Sequence, residues 1–324
     1  MGGCFITYEL FTEKLIEDLS NFMETSGFLW SSKELLHYIA TKLTAPDETQ
    51  IIVRNNGQIV GCNLFLSTSA SIGNRVCRIR WSHCTFLEQS FRAEAGLPLF
   101  SYSCSVTNVF GFGLTPINRR LHKLIGSHFF PPSHGYHLVI STDSDKQDVS
   151  IPNVVIAGDS IFQRVFHANE IRCPNNGYWN IAENRIDFVR DNVFINNRFI
   201  DTPINYLLYK RSSSNSKNDE GYFVIRIRNT HKGKSIFLVD YRIENGQNRE
   251  SFFADIICAI YEIARDICIS HCFIFTTETD LIERCGYNLL PYGEDSDIVS
   301  NILGIDKYQT CVTPADSDSD LIPF

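Results

Sequence analysis

Apolar residues recur at helical spacing near the start of the chain. Leu15, Ile16, Leu19, Phe22 and Met23 predict a helix over 12–25, and Leu35, Leu36, Ile39 and Leu43 a second over 32–43. The period then changes to two. Segments 50–54 and 59–66, joined by Asn55-Asn56-Gly57, predict a β-hairpin, because Asn-Gly supplies the positive φ that tight hairpins require. Residues 78–87 alternate as a strand, a polar stretch follows, and 97–106 reads as a helix with Pro98 in its first turn. A short β-rich run covers 108–113. Thr115 as N-cap and Pro116 at the first helical position open a helix that ends near Gly126. Phe129-Phe130-Pro131-Pro132 is expected to stop regular structure.

The second half repeats this grammar more loosely. Strands are predicted at 204–210, 222–228, 234–242 and 272–277, with a long helix at 251–268 and a short one at 280–285. Polar residues 141–148 mark the start of a connection between halves. The Ser/Asn-rich stretch 211–220 reads as a mobile loop, and 315–320, where Asp alternates with Ser, as a disordered acidic tail. The boundaries drawn are 1–141 for the first domain, 142–184 for a connecting region, 185–314 for the second domain and 315–324 for the tail.

With 324 residues, 44% of them hydrophobic, the chain is long enough for two packed cores. A net charge of -8 and the lack of a dense Lys/Arg run argue against a nucleic-acid binder, leaving local basic spots such as Arg119, Arg120 and Lys123. Eleven cysteines without paired spacing, and no N-terminal leader pattern, point to free thiols in the cytoplasm. Met1-Gly2-Gly3-Cys4 approaches a myristoylation signal but has Ile6 where Ser or Thr belongs. No apolar run reaches the ~18 residues of a membrane span.

Chemistry concentrates between residues 78 and 131, where strand, polar loop, helix, strand and helix follow closely. A strand that delivers its end into a loop opening a helix aims unpaired backbone N–H groups at one point, which suits a pyrophosphate. Phe91, Arg92, Ala95, Gly96 and Leu97 are the candidate binding residues there. Read singly, Arg92 is a solvated loop residue and Gly96 the relief of a turn.

This order of elements resembles the GNAT acyltransferase superfamily, in particular the tandem-GNAT proteins of bacterial surface-polysaccharide biosynthesis. Residues 88–97, with Phe91-Arg92, stand where that family has P-x-Y-R-G-x-G-x-G, though most of its glycines are missing. Leu121-His122-Lys123-Leu124-Ile125-Gly126 is similar to the A-x-x-L-Y-x-x-x-G-F run, with His122 at the tyrosine position. In the second half Phe194-Ile195-Asn196-Asn197-Arg198-Phe199, Pro203 and Tyr206 resemble the family's L-x-W-R-Y…P…Y run.

The resemblance implies an α/β fold of two GNAT-like domains in tandem, each a mixed, mostly antiparallel sheet flanked by helices. It implies acetyl-CoA, or another acyl-CoA, as co-substrate and a small-molecule amine as acceptor, for instance an amino sugar of a surface-polysaccharide precursor. His122 takes the place of the acid that protonates the departing thiolate, a role its ordinary pKa near ~6.5 permits. A lone histidine between Leu121 and Leu124 is more often a boundary residue than an acid. His83 and Glu88 are the candidate bases, since the family's strand leading into the loop faces the thioester. In the second half only Gly246 and Arg249 echo the loop, and Ile282 stands where an acid is needed, which implies a non-catalytic half.

Other readings compete. Gly158-Asp159-Ser160 after a strand resembles the nucleophile block of GDS hydrolases, but no Asp-x-x-His follows to activate Ser160. Cys268, His271 and Cys272 lack a fourth ligand at zinc-like spacing, so no metal is expected. Phe110-Gly111-Phe112-Gly113 lacks the third glycine of a dinucleotide fold. A FemAB-like aminoacyl transferase would need tRNA, against the acidic charge. A catalytically dead GNAT-like protein that binds a sugar nucleotide or a protein partner is the alternative outside enzymes.

Overall fold

The computed structural model describes residues 5–26, 33–43, 51–73, 75–106, 108–142, 150–158, 160–179, 184–212, 221–243 and 248–316, with the side chains of 83 and 84 excepted. The loop expected at 211–220 and the tail at 315–320 fall mostly outside this set. Ala315 and Asp316 are the exception: with Pro314 they form a buried 3-10 turn, Asp316 being 4% exposed, so no free tail starts at 315.

The first half runs β1 (Ile6–Leu10), α1 (Ile16–Thr25), α2 (Lys33–Tyr38), β2 (Ile51–Asn55), β3 (Gln58–Ile72), β4 (Arg75–Leu87), α3 (Arg92–Ser105), β5 (Val109–Phe112), α4 (Pro116–Leu124) and β6 (His128–Val139). The second continues with β7 (Val154–Ala157), β8 (Ser160–Arg164), β9 (Arg185–Phe188), α5 (Asn192–Ile195), β10 (Tyr206–Ser212), β11 (Gly221–Thr230) and β12 (Gly233–Ile243). It closes with α6 (Arg249–Asp266), β13 (His271–Thr276), α7 (Thr279–Arg284), β14 (Leu290–Pro291), β15 (Ser296–Ser300) and β16 (Gln309–Thr310). Thirteen of these strands follow the order β1-β2-β3-β4-β5-β15-β6-β13-β12-β11-β10-β8-β7. Every neighbouring pair on that path is antiparallel except β4–β5 and β12–β13.

The hairpin forms as expected: Asn56 and Gly57 hold φ of 48° and 84°, the double positive φ of a tight two-residue turn. Two expectations fail. The loop read into 88–97 is almost absent, because a 3-10 turn (Gln89–Phe91) passes directly into α3 at Arg92, leaving Pro98 inside the helix. Proline there costs up to ~3 kcal/mol. Ala95 and Leu99, one turn apart and buried against Ile51, Val53, Val60 and Leu87, offset it by apolar burial. Nor do Pro131 and Pro132 stop the chain. β6 itself bulges there: Ser296 pairs with Ser133 and Ile298 with Phe130, so Pro131 and Pro132 together face Asp297, and β13 takes over from His134, which leaves the prolines where no ladder hydrogen bond is required.

Helices cover both faces of the first-half sheet. α1 and α2 bury Leu19, Met23 and Leu36 against Cys62, Leu64 and Trp81, while α3 covers the opposite face. In the second half α6 packs on one face of β11 and β12 through Phe253, Ile256 and Ile260, and Trp179, Ile195 and Phe199 cover the other. Among the described residues no helix is long and apolar enough to cross a membrane.

Candidate active site

β4 and β5 run parallel over three pairs, Arg80–Val109, Trp81–Phe110 and Ser82–Gly111, and there the pairing stops. Against β3, Leu64 lies opposite Cys84 and Phe65 opposite Ser82, which leaves His83 as the extra residue of a bulge. A bulge takes its residue out of the ladder and sharpens the local twist. β4 therefore parts from β5 at His83.

Between the parted strands lies a cavity of about 210 Å³. Ser82 and Thr85 line it from β4, Phe100, Ser103 and Cys104 from α3, and Asn118 and His122 from α4. Phe65, Val109, Gly111 and the turn from Phe112 to Thr115 complete it. Thr85 Oγ1 donates to Asn63 Oδ1 at 2.7 Å and lies 3.4 Å from Ser82 Oγ, so a short polar chain runs along β4. Thr115 caps α4 by accepting the Asn118 N–H, with Pro116 next to it, as the sequence implied.

Asn301, just past β15, also lines the cavity. Its Oδ1 accepts the Val109 N–H at 2.8 Å, and its Nδ2 donates to the carbonyls of Val106 (2.8 Å) and Cys104 (3.4 Å). One side chain from late in the chain thus fixes the end of α3 to the start of β5.

His122 is about half-buried, packs edge-on against Phe100 at 5.3 Å, and has Nδ1 3.0 Å from Ser127 Oγ. Burial lowers its pKa below the ordinary 6.5, so the imidazole is neutral at pH 7. The unfolded chain then binds a proton more readily, and this residue's stability term is complete above about pH 6.5 and lost as pH falls. A histidine NMR titration is expected to give His122 a pKa under 6.5, rising toward that value on urea unfolding; a native value above 6.5 would contradict this geometry. Cys104 is held as a thiol, its pKa pushed up to about 11 by burial, so it offers no thiolate nucleophile near neutrality.

Of the other candidate residues, His83 occupies the bulge itself. Glu88 opens the 3-10 turn, its N–H bonded to Val60 O at 2.9 Å, and is not among the lining residues. Two amides expected to face a phosphate are already bonded: Phe91 N–H to Glu88 O, and Arg92 N–H to Gln89 O. Arg92 Nε donates to Leu87 O at 3.1 Å. Ala95 is buried under β2 and β3, Gly96 lies within α3, and Leu97 is exposed. The loop candidates thus lie along α3, where Arg92 to Glu94 are exposed, and none of Phe91 to Leu97 is among the residues lining the cavity.

The second half repeats the strand geometry with a different filling. β12 and β13 pair in parallel at Ile236–Cys272, Phe237–Phe273 and Leu238–Ile274, and a register shift leaves Val239 as the extra residue. Three residues past the last pair stands Tyr241, where the first half has Thr85; four past Ile274 stands Glu278, where it has Thr115. Tyr241 Oη donates to Glu278 Oε2 at 3.0 Å, and Arg249, first residue of α6, holds both Glu278 oxygens at 2.6 and 2.9 Å. Cys311 Sγ sits 3.2 Å from the same carboxylate. Burial pushes the Glu278 carboxyl up, but Arg249 and Arg185 outweigh it and keep the group ionised. This cleft is occupied by its own side chains.

Sequence reasoning singled out His122 and the β4 segment but missed Ser103, Asn118, Thr85 and Asn301. Helical spacing alone puts Ser103 one turn after Leu99; nothing local signals Asn301, whose role arises from a contact far along the chain.

No protein-family profile matches this sequence, and no curated protein matches it. Solved structures share the fold. A GCN5-related N-acetyltransferase from Anabaena variabilis is 12% identical, with 91% of this chain and 72% of that one covered and a TM-score of 0.56. The N-myristoyltransferase of Saccharomyces cerevisiae with bound myristoyl-CoA is 9% identical, covering 92% and 84%, also at 0.56. A GCN5-related N-acetyltransferase from Kribbella flavida is 9% identical, covering 91% and 71%, at 0.52. The chain therefore has a GNAT-like mixed α/β fold, with a large, mostly antiparallel sheet flanked by helices.

Proposed function

We propose that the protein is an acyl-CoA-dependent N-acyltransferase whose donor site is the cavity between β4 and β5. One observation carries this reading: of two clefts with the same parted strands and bulge, the first-half one is open and polar-lined, and the second-half one is filled by Tyr241, Glu278 and Arg249. Residues 1–141, completed by β15 and Asn301, form the acyl-CoA-binding unit, the rest of 185–314 a unit without catalysis, and 142–184 their connection. The myristoyl-CoA bound in the similarly folded yeast N-myristoyltransferase supports the choice of coenzyme.

In this reading the amine nitrogen of the acceptor attacks the thioester carbon, the C–S bond breaks, and the acyl group remains on nitrogen. The β4 backbone released at the His83 bulge polarises the carbonyl. A base, His83 or Glu88, takes the amine proton. His122 serves the departing thiolate as a neutral N–H donor, which requires the Ser127 hydroxyl to donate to Nδ1 so that Nε2 carries the proton. Arg92 and the first turn of α3 face the coenzyme's phosphates. The acceptor proposed is an amino sugar of a surface-polysaccharide precursor.

The cavity holds about seven waters' volume at ~30 Å³ each, which suits a short acyl group. Calorimetry is expected to show one micromolar site for acetyl-CoA, weakened by Arg92→Glu, and at least ~10-fold weaker binding of myristoyl-CoA at that site. Absence of heat with acetyl-CoA would reject the enzyme reading. It would favour a GNAT-like protein that binds another partner, the reading toward which the bonded amides of Phe91 and Arg92 lean.

A further inference from the structure

A second cavity, of about 240 Å³, lies across the sheet from the first. Its walls come from both halves: Leu66, Thr68 and Trp81 from β3 and β4, and Asp191, Phe194 and Asn197 from α5 and its flanks. The two cavities are nearly back to back, since Trp81 lines one and its neighbour Ser82 the other. Leu66 pairs with Trp81 and Thr68 with Ile79, which puts Thr68 and Trp81 on one face of the sheet.

Trp81 is 0% exposed, and its indole Nε1–H has no hydrogen-bond partner among the described residues; neither has the buried Thr68 Oγ1. A buried donor left unmatched costs roughly 1–3 kcal/mol, so these two, with the Ser67 Oγ of the same wall also unmatched, call for a polar occupant. The charged groups of the wall are already engaged. Lys42 pairs with Asp201 at 2.7 Å, Asp316 with Arg190 at 2.6 Å, Arg198 with Tyr206 and the Ala315 carbonyl, and Asp191 Oδ1 accepts the Phe194 N–H. What remains for a ligand is a neutral N–H and two hydroxyls beside the aromatic faces of Trp81 and Phe194. An anion would find no uncommitted cation there.

We propose that this cavity binds a neutral, hydroxyl-rich ligand of monosaccharide size, with a ligand oxygen accepting the Trp81 Nε1–H and a ligand hydroxyl bonded to Thr68 Oγ1. The volume, about eight waters at ~30 Å³ each, fits one sugar ring. Use of that ligand as the acyl acceptor rests on the acyltransfer reading; the binding itself does not.

The test follows the Trp81 indole N–H by NMR in the full chain, with Trp81→Phe to assign the resonance, during titration with glucose, galactose, glycine and inorganic phosphate. Saturable movement with the two sugars at millimolar concentration is expected, with little from glycine or phosphate and affinity at least fivefold weaker in Thr68→Val. An unmoved resonance, which would mean solvent alone fills the cavity, overturns the proposal. So does unchanged affinity in Thr68→Val, or stronger binding of phosphate or glycine. Acetyl-CoA calorimetry on the same sample separates the two ideas: heat from the coenzyme without a sugar shift defeats only this proposal, and a sugar shift without coenzyme heat defeats only the acyltransfer reading.

Discussion

Replacing Asp240 with alanine is expected to cost about 3–5 kcal/mol of folding stability, measured by urea unfolding, the range found when one member of a buried ion cluster is removed. Asp240 is fully buried in β12, and its carboxylate accepts from Arg190 Nε (2.9 Å), Arg242 Nη1 (2.8 Å), Tyr222 Oη (2.8 Å) and Thr313 Oγ1 (2.7 Å). Asp316 supplies the second negative charge, accepting from Arg190 Nη2 at 2.6 Å and lying 3.8 Å from Arg242 Nη2. Without Asp240, two buried guanidinium groups share one carboxylate, and the Tyr222 and Thr313 hydroxyls lose their acceptor. Burial alone would raise the Asp240 pKa, yet Arg190 and Arg242 bring it below the ordinary value. Its contribution is therefore present above the unfolded carboxyl pKa of ~3.9 and disappears as pH falls through the lower folded value. A loss under about 1 kcal/mol would show that the cluster is not what ties the 313–316 turn to β12.

Ser103→Phe is expected to weaken acetyl-CoA binding at least ~100-fold, equivalent to ~2.7 kcal/mol, while the melting temperature changes little. Ser103 lines the first-half cavity from α3 and uses its Oγ only on its own helix, at Leu99 O, 2.9 Å away. Losing that bond costs the fold little. The added ring must enter a space of about 210 Å³ that the coenzyme's thiol end would occupy. Calorimetry and a thermal melt on the same sample separate obstruction from misfolding; full affinity with a phenylalanine at 103 would remove the donor site from this cavity.

Much of the local structure was legible in the sequence, because periodicity and turn chemistry act over a few residues. The helix begun by Thr115-Pro116, the Asn56-Gly57 hairpin and the α6 helix all stand close to where pattern puts them. Pro98 and Pro131-Pro132 misled for one reason: a proline's local penalty was set against tertiary terms invisible in sequence, the burial of Ala95 and Leu99 in one case and a change of partner strand in the other. β15 carries no clear alternation in Ser296–Ser300, yet it sits between β5 and β6 in the sheet. The site was legible only in part. His122 was marked by its motif position, whereas the filling of the second cleft depends on Tyr241, Glu278, Arg249 and Cys311, which come together only in the fold.

Hydrogen–deuterium exchange with and without saturating acetyl-CoA tests the central claim most directly, namely that the open first-half cleft and not its filled counterpart receives the donor. Protection is expected in peptides covering 82–87, 92–105 and 109–124, with no change in 239–243 and 271–284. Protection confined to the second set, or none in the first under conditions where calorimetry shows binding, would contradict it.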